Sequence, residues 1–172
     1  MPELASFASN LETHFSPKLI DAISAAALPG LGDGPKNQPL VAILQSASAE
    51  KELGESQKHA QACISGLWLL AGDLDRSHTI SQDLPSAEGS FLHGIMHRRE
   101  GDFSNAKYWF RRVGTHEIVD AIAHEAGDVY NDPFDFVDRC SDAVKQSDAE
   151  LTQQCRDAQW IEWQWLMSYL CG

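Results

Sequence analysis

Of the four Gly-Asp dipeptides in this chain, two lie 29 residues apart, at Gly72-Asp73 and at Gly101-Asp102. Each of these two follows a run of apolar residues that recur at helical spacing. Glycine adopts the left-handed conformation that ends a helix, and aspartate accepts hydrogen bonds from the free N–H groups that begin the next helix. The sequence therefore predicts two consecutive helical hairpins, within residues 56–114.

Helical patterns also cover most of the remaining chain. They predict helices over residues 3–15, 17–28, 116–127, 133–146 and 149–170. The short apolar segment 40–44 fits a strand or a helix, and a helix is favoured because no partner strand is evident elsewhere. We therefore expect an all-α fold, built as a right-handed stack of antiparallel helical hairpins.

A chain of 172 residues corresponds to a single domain. Within it we expect three parts. Residues 1–38 form an N-terminal helical arm that ends in a loop rich in proline and glycine, residues 56–114 form the two hairpins, and residues 115–172 form the C-terminal helices.

The small residues of the second hairpin resemble the signature of tetratricopeptide repeats. The positions that carry the resemblance are Gly94, Gly101, Ala106 and Phe110. The first hairpin matches less well, with Ser65, Gly72, Ser77 and, at the aromatic position, Ser81. The resemblance covers about residues 58–114, and its interval of 29 residues is shorter than the usual 34. It implies helices that approach closely, and a concave face that holds peptides.

The formal net charge is −12, which disfavours nucleic acid as a partner because phosphates repel an anionic protein. No apolar run reaches the roughly 18 residues of a membrane span, and no secretory signal is visible, so we expect a cytoplasmic protein without membrane contact. The four cysteines form no C-x-x-C pair and are interpreted as reduced thiols.

The predicted C-terminal helix carries an unusual number of large aromatic side chains, including Trp160, Trp163 and Trp165. So much apolar surface must be covered. We expect this helix to cap the hairpins and complete the core. The alternative is that it forms the interface of a homodimer.

Two histidines, His93 and His97, lie four residues apart and therefore share one face of a helix. Such a pair is half of a common metal site, which needs a third ligand from another element. The candidates for that ligand are His78, Asp73, Asp75 and Glu100. The alternative interpretation is a pair of buried histidines that form hydrogen bonds between helices. A divalent metal is the one cofactor that the sequence suggests.

Residues 98–113 carry five basic and two acidic side chains and form the one net-positive stretch of the chain. By analogy with tetratricopeptide repeats, Phe91, Ile95, Arg98 and Arg99 would face the concave surface. An arginine pair there suits a carboxylate or a phosphate. The alternative is that these basic residues pair with the surplus of acidic ones.

These observations predict a helical interaction or ligand-binding protein for an anionic small molecule or an acidic peptide. The expected binding residues are His78, His93, His97, Arg98 and Arg99. The alternative function is a metal-dependent enzyme or metal-binding protein that uses His93 and His97. No catalytic motif is present that would favour an enzyme.

Overall fold

The computed structural model describes residues 3–54 and 59–172, and all regular secondary structure within these ranges is helical. The α-helices are α1 (Asn10–His14), α2 (Pro17–Ser24), α3 (Gln38–Leu44), α4 (Ala60–Ala71), α5 (Leu74–Ser81), α6 (Ala87–Glu100), α7 (Phe103–Val113), α8 (Ile118–Ala126), α9 (Pro133–Gln146) and α10 (Ala149–Cys171). Short 3-10 segments lie at Ser6–Ala8, Ala49–Leu53 and Gly127–Val129. The all-α prediction is confirmed. No helix in these ranges has both the length and the apolarity to cross a membrane.

Both Gly-Asp steps end one helix and begin the next. Gly72 and Gly101 are left-handed, with φ of 81° and 82°. The carboxylate of Asp73 accepts a hydrogen bond from the backbone N–H of Arg76, and that of Asp102 accepts one from Asn105. The turns form because glycine tolerates this φ and because the aspartates satisfy free N–H groups of the following helices.

Helices α6 and α7 pack closely because Gly94 has no side chain. A Cβ atom at Gly94 would lie 2.9 Å from the ring of Phe110. Helices α4 and α5 are also joined through small side chains. The hydroxyl of Ser65 on α4 lies 3.0 Å from that of Ser77 on α5. Small side chains thus bring the two helices of each pair together.

The N-terminal segment differs from the prediction. In place of one helix over residues 3–15, the 3-10 segment Ser6–Ala8 precedes the short helix α1, and α2 ends at Ser24 rather than at residue 28. Backbone groups outside these helices bond to α10 instead, since the N–H of Ala5 donates to Gln164 and the side chain of Arg156 donates to the backbone oxygen of Leu28. The predicted helix start near Ser56 falls within residues 55–58, which lie outside the described residues, and α4 begins at Ala60.

Helix α10 packs against α4 and against the N-terminal segment of the chain. The indole of Trp163 donates to the backbone oxygen of Gly66 on α4 at 2.7 Å. Trp165 stacks on Phe7 with ring centroids 4.5 Å apart. The N-terminal segment is therefore packed on α10 and contributes to the core. As predicted, the C-terminal helix completes the core, and all four cysteines are buried as thiols.

Replacing Trp163 with alanine removes a side chain that is only 5% exposed, together with its hydrogen bond to Gly66. We expect Trp163→Ala to lower the free energy of unfolding by about 3–5 kcal/mol. Tyr108→Ala is the control, because Tyr108 is 48% exposed, and it should change stability by about 0.5 kcal/mol or less. Chemical denaturation measures both, and equal effects would contradict this role of α10.

Candidate metal centre

Three histidines, His78, His93 and His97, form one cluster between α5 and α6. Each offers a ring nitrogen, and these three nitrogens lie within 4.8 Å of one another. The centroids of the His93 and His97 rings are 4.7 Å apart, and His78 lies 4.8 and 5.4 Å from them. The structure thus brings the predicted pair together with His78, one of the candidate third ligands.

The local fold explains this arrangement. His93 and His97 are one helical turn apart on α6, so their imidazoles point the same way. The turn at 82–86 returns the chain so that α5 packs on that face of α6 and adds His78. Of the other candidate ligands, Glu100 contacts His97, whereas Asp73 and Asp75 do not join the cluster. Asp73 caps α5 and pairs with Lys36, and Asp75 is exposed.

A serine hydroxyl sets the orientation of His93. The Oγ atom of Ser81 lies 2.9 Å from Nδ1 of His93 and also donates to the backbone oxygen of His78 at 3.4 Å. When Nδ1 of His93 carries the proton, Ser81 accepts from it, and the lone pair lies on Nε2, where a metal ion could bind.

His97 is held by a carboxylate. Its Nδ1 atom lies 3.0 Å from Oε2 of Glu100, one turn further along α6. Its Nε2 atom lies 3.1 Å from the side-chain amide of Asn105 on α7. A histidine whose Nδ1–H is bound by a carboxylate presents Nε2 outward, which is the usual arrangement of metal-ligating histidines.

Burial keeps the two histidines of α6 neutral. The pKa of His93 is lowered to about 4, mainly by burial and in addition by the nearby His97 and His78. Burial also lowers the pKa of His97, although Glu100 opposes that effect. Both imidazoles are therefore in the neutral form that metal ions require at pH 7.

Access to the cluster is one-sided. His93 and His97 are buried, and the ring of Trp109 on α7 packs on His93 at 4.1 Å between centroids. His78 is only partly buried. The cluster is thus covered by α7 and is most accessible at His78.

An acidic groove of about 420 Å³ lies beside the cluster. Its lining consists of Asp33, Leu74, Asp75, Glu100 and Asp102. Glu100 belongs to both features, since it lines the groove and binds His97. The electrostatic potential of four carboxylates attracts cations to this part of the surface.

Arg98 does not face an open groove, so that expectation is wrong. It is 1% exposed, and its guanidinium forms a bidentate ion pair with Glu162 of α10 at 3.0 and 2.5 Å. It also packs over the ring of Phe136 at 4.5 Å, and the hydroxyl of Tyr130 donates to Glu162 at 3.3 Å. Burial disfavours the charge of Arg98, but the carboxylate of Glu162 outweighs this effect and raises the pKa of Arg98.

The expected concave face is closed in the same way. Phe91, Ile95 and Arg99 are each 3% exposed or less. The helices and loop that cover α6 fill the side that the resemblance assigned to a peptide. The structure also separates the two arginines from the histidines, since Arg98 contacts α10 and Arg99 contacts the end of α4.

Several residues of the site escaped sequence reasoning. They are Asn105 and Trp109 at the histidines, and Glu162, Gln159 and Tyr130 at Arg98. A signal existed for Glu162, which stands among the aromatic residues of α10, where a lone charge needs a buried partner. Nothing in the sequence indicated that Arg98 is that partner.

Comparisons with protein-family models, with curated proteins and with solved structures found no match for this chain.

The Arg98–Glu162 pair gives a test of these packing contacts. Replacing Arg98 with methionine leaves the carboxylate of Glu162 buried without a counter-charge, and we expect a loss of about 3–5 kcal/mol in unfolding free energy. The double variant Arg98→Met/Glu162→Leu should recover most of that loss. Lys107→Met is the control, because it breaks an exposed pair with Asp138 and should cost about 1 kcal/mol or less. Urea unfolding of the wild type, Arg98→Met, Glu162→Leu, the double variant and Lys107→Met decides the matter, and additive effects of the two single substitutions would contradict the ion pair.

The lowered pKa of His93 predicts a stability loss in acid for the metal-free protein. Between pH 6.5 and about 4 the unfolded chain binds a proton at this position and the folded chain does not. Stability therefore falls as the pH falls through this window, by about 3 kcal/mol in total for this one residue.

The measurement is the unfolding free energy at pH 7 and pH 4 in the presence of a chelator, for the wild type, His93→Gln and His124→Gln. The exposed His124 should leave the acid-induced loss unchanged, whereas His93→Gln should reduce it. Identical losses in all three proteins would show that His93 does not titrate in this way.

Proposed function

We propose that this protein binds a divalent transition-metal ion through His78, His93 and His97. The observation that carries the proposal is the convergence of three imidazole nitrogens to within 4.8 Å of one another from two helices. Neutral imidazole suits zinc, copper, iron and nickel, whereas magnesium and calcium prefer oxygen ligands.

The donor set suits Zn²⁺ best among these ions, because it offers three histidines without cysteine. In a tetrahedral site with Zn–N bonds of about 2.0–2.1 Å, ligand nitrogens lie about 3.3 Å apart. The three imidazoles would therefore close by up to about 1.5 Å around an ion. Glu100 and Ser81 each contact an Nδ1 atom, so the Nε2 atoms would turn inward, and Nε2 of His97 would exchange its contact with Asn105 for the ion.

Three protein ligands leave a fourth position for water or a ligand. That composition is typical of catalytic rather than structural zinc sites. A zinc-bound water loses a proton near neutral pH, so a hydrolytic or hydration reaction lies within the chemistry of such a site. The neighbouring acidic groove supports delivery of the cation, and Glu100 links the groove to the ligand His97.

Four further expectations from the sequence are also proposals: the repeat-like stack, the cytoplasmic location, the homodimer and the anionic ligand. The close contact between Gly94 and Phe110 supports a tetratricopeptide-like stack of antiparallel hairpins. A cytoplasmic location fits the expectation of reduced thiols. A homodimer through α10 would use the exposed Tyr169, because Trp163 is occupied by the core. An anionic ligand would bind at Arg99 rather than at the histidines, since Arg98 is paired internally.

Titration of the chelator-treated protein with ZnCl₂, followed by isothermal calorimetry, tests the metal site. We expect one ion per chain, and a loss of more than 100-fold in affinity for His93→Ala and His97→Ala. Glu100→Gln should weaken binding by about 10–100-fold, because it removes the carboxylate that orients His97.

His124→Gln is the matched control and should bind as the wild type does. Substitution with Co²⁺ adds a spectroscopic readout, since a four-coordinate cobalt site absorbs strongly in the visible range and an octahedral aqueous ion does not. If Zn²⁺ binds no more tightly to the wild type than to the double variant His93→Ala/His97→Ala, the cluster is a hydrogen-bonded part of the core and the proposal fails.

A further inference from the structure

Arg99 is a buried cation without a carboxylate partner. It is 3% exposed, and its one hydrogen-bond acceptor among the described residues is the backbone oxygen of Leu69, at 2.5 Å. Its Nε–H is buried and has no acceptor there. A guanidinium has five N–H donors in a fork that matches the oxygens of a carboxylate or a phosphate. Most of the donors of Arg99 are therefore unused.

The surroundings offset this charge only in part. Leu69 lies in the last turn of α4, where the helix dipole is negative and favours a cation. The charge of the exposed Asp33 also favours the ionised form. Burial and the neighbouring Arg98 oppose these effects and lower the pKa of Arg99 to about 10. Asp33 thus acts on Arg99 without an ion pair between them, and the charge of Arg99 is only partly compensated.

A second arginine in this region is also without an acid. Arg156 of α10 donates to the backbone oxygens of Leu28 and Pro29, at 2.7 and 3.4 Å, and to the side chain of Gln153. With 25 acidic and 13 basic residues in the chain, a carboxylate is available for almost any arginine. Two neighbouring arginines that contact only neutral acceptors are unexpected in such a protein.

Two cavities meet at Arg99 beneath the loop of residues 29–37. The smaller, of about 20 Å³, is lined by both arginines together with Trp160 and Trp163. The larger, of about 160 Å³, is lined by Arg99, Lys36, Asn37 and the glycines Gly30 and Gly34. No Asp or Glu is among the described residues that line either cavity.

The dimensions limit the occupant. By this measure of volume a water molecule needs about 10–15 Å³, so the smaller cavity holds about one water and the larger one on the order of ten. The larger cavity therefore accommodates inorganic phosphate or a short dicarboxylate, and is too small for a folded partner. Lys36 in its wall is already neutralised by Asp73 at 2.8 Å, so Arg99 supplies the unpaired charge.

We propose that a small oxyanion, of the carboxylate or phosphate class, binds in the cavity between the 29–37 loop and α6, with Arg99 as its anchoring guanidinium. Arg156 lines only the smaller cavity, together with Arg99. Its two backbone contacts hold the 28–29 end of the loop. This site is separate from the histidine cluster and does not depend on a bound metal.

The full-length protein is melted in the presence of a chelator, at constant ionic strength, in sodium chloride alone or with 20 mM sodium phosphate or sodium succinate. Ligands raise the melting temperature only by binding the native state. We expect one or both oxyanions to raise it by about 2–4 °C over chloride. A shift with phosphate alone identifies the phosphate class, and a shift with succinate alone identifies the carboxylate class.

The variant Arg99→Met keeps an unbranched apolar stem and removes the guanidinium with its charge, so it should lose the shift. Arg111→Gln is the matched control, because Arg111 is exposed on α7, and it should keep the shift. If Arg99→Met fails to fold, Arg156→Gln takes its place and should reduce the shift by at least half.

Two results would overturn the proposal. One is a wild type that responds to neither oxyanion more than to chloride. The other is a shift that survives in Arg99→Met, or in Arg156→Gln where that variant replaces it. In either case Arg99 would serve only to cap the end of α4.

Discussion

Helix α6 is buried from Gly89 to Arg99, so its polar side chains must find partners inside the protein. On an exposed helix, water forms hydrogen bonds with the polar side chains. A buried polar group without a partner lowers the free energy of unfolding. This constraint applies to the four basic side chains of α6. His93 is satisfied by Ser81, His97 by Glu100 and Arg98 by Glu162. Arg99 is the exception, with a single backbone oxygen.

The same constraint separates these residues in space. Successive residues of an α-helix are rotated by about 100°, so His97, Arg98 and Arg99 point in three different directions. The histidines face α5 and α7, Arg98 faces α10, and Arg99 faces the end of α4. Sequence adjacency therefore misled the expectation of one shared site for an anion, because adjacent positions on a helix do not share a face.

The parts that sequence reasoning predicted are those that local chemistry decides. At Gly72 and Gly101 a left-handed glycine followed by a capping aspartate ends one helix and begins the next, and both turns are found as predicted. The histidine pair shares a face because its spacing matches one helical turn. These features need no knowledge of distant residues.

The parts that escaped prediction depend on contacts between distant segments. Arg98 and Glu162 are 64 residues apart, and no local pattern relates them. The segment after α2 is likewise held by Arg156, 128 residues beyond Leu28. The net charge of −12 shows that acidic residues outnumber basic ones. It does not indicate which acidic residue pairs with which basic residue. That assignment is made by packing.

The Arg98–Glu162 pair also has a consequence for the histidines. A bidentate pair in a fully buried position tolerates little rotation of α6 about its axis, because both hydrogen bonds depend on the planar fork of the guanidinium. Since the histidines lie on the same rigid helix, the pair holds them toward α5, where His78 completes the cluster. Buried charges are weak contributors to net stability, and one role supported in some proteins is to specify a unique packing. In this protein the ion pair on one side of α6 holds the helix in the rotation that turns the histidines on the other side toward His78.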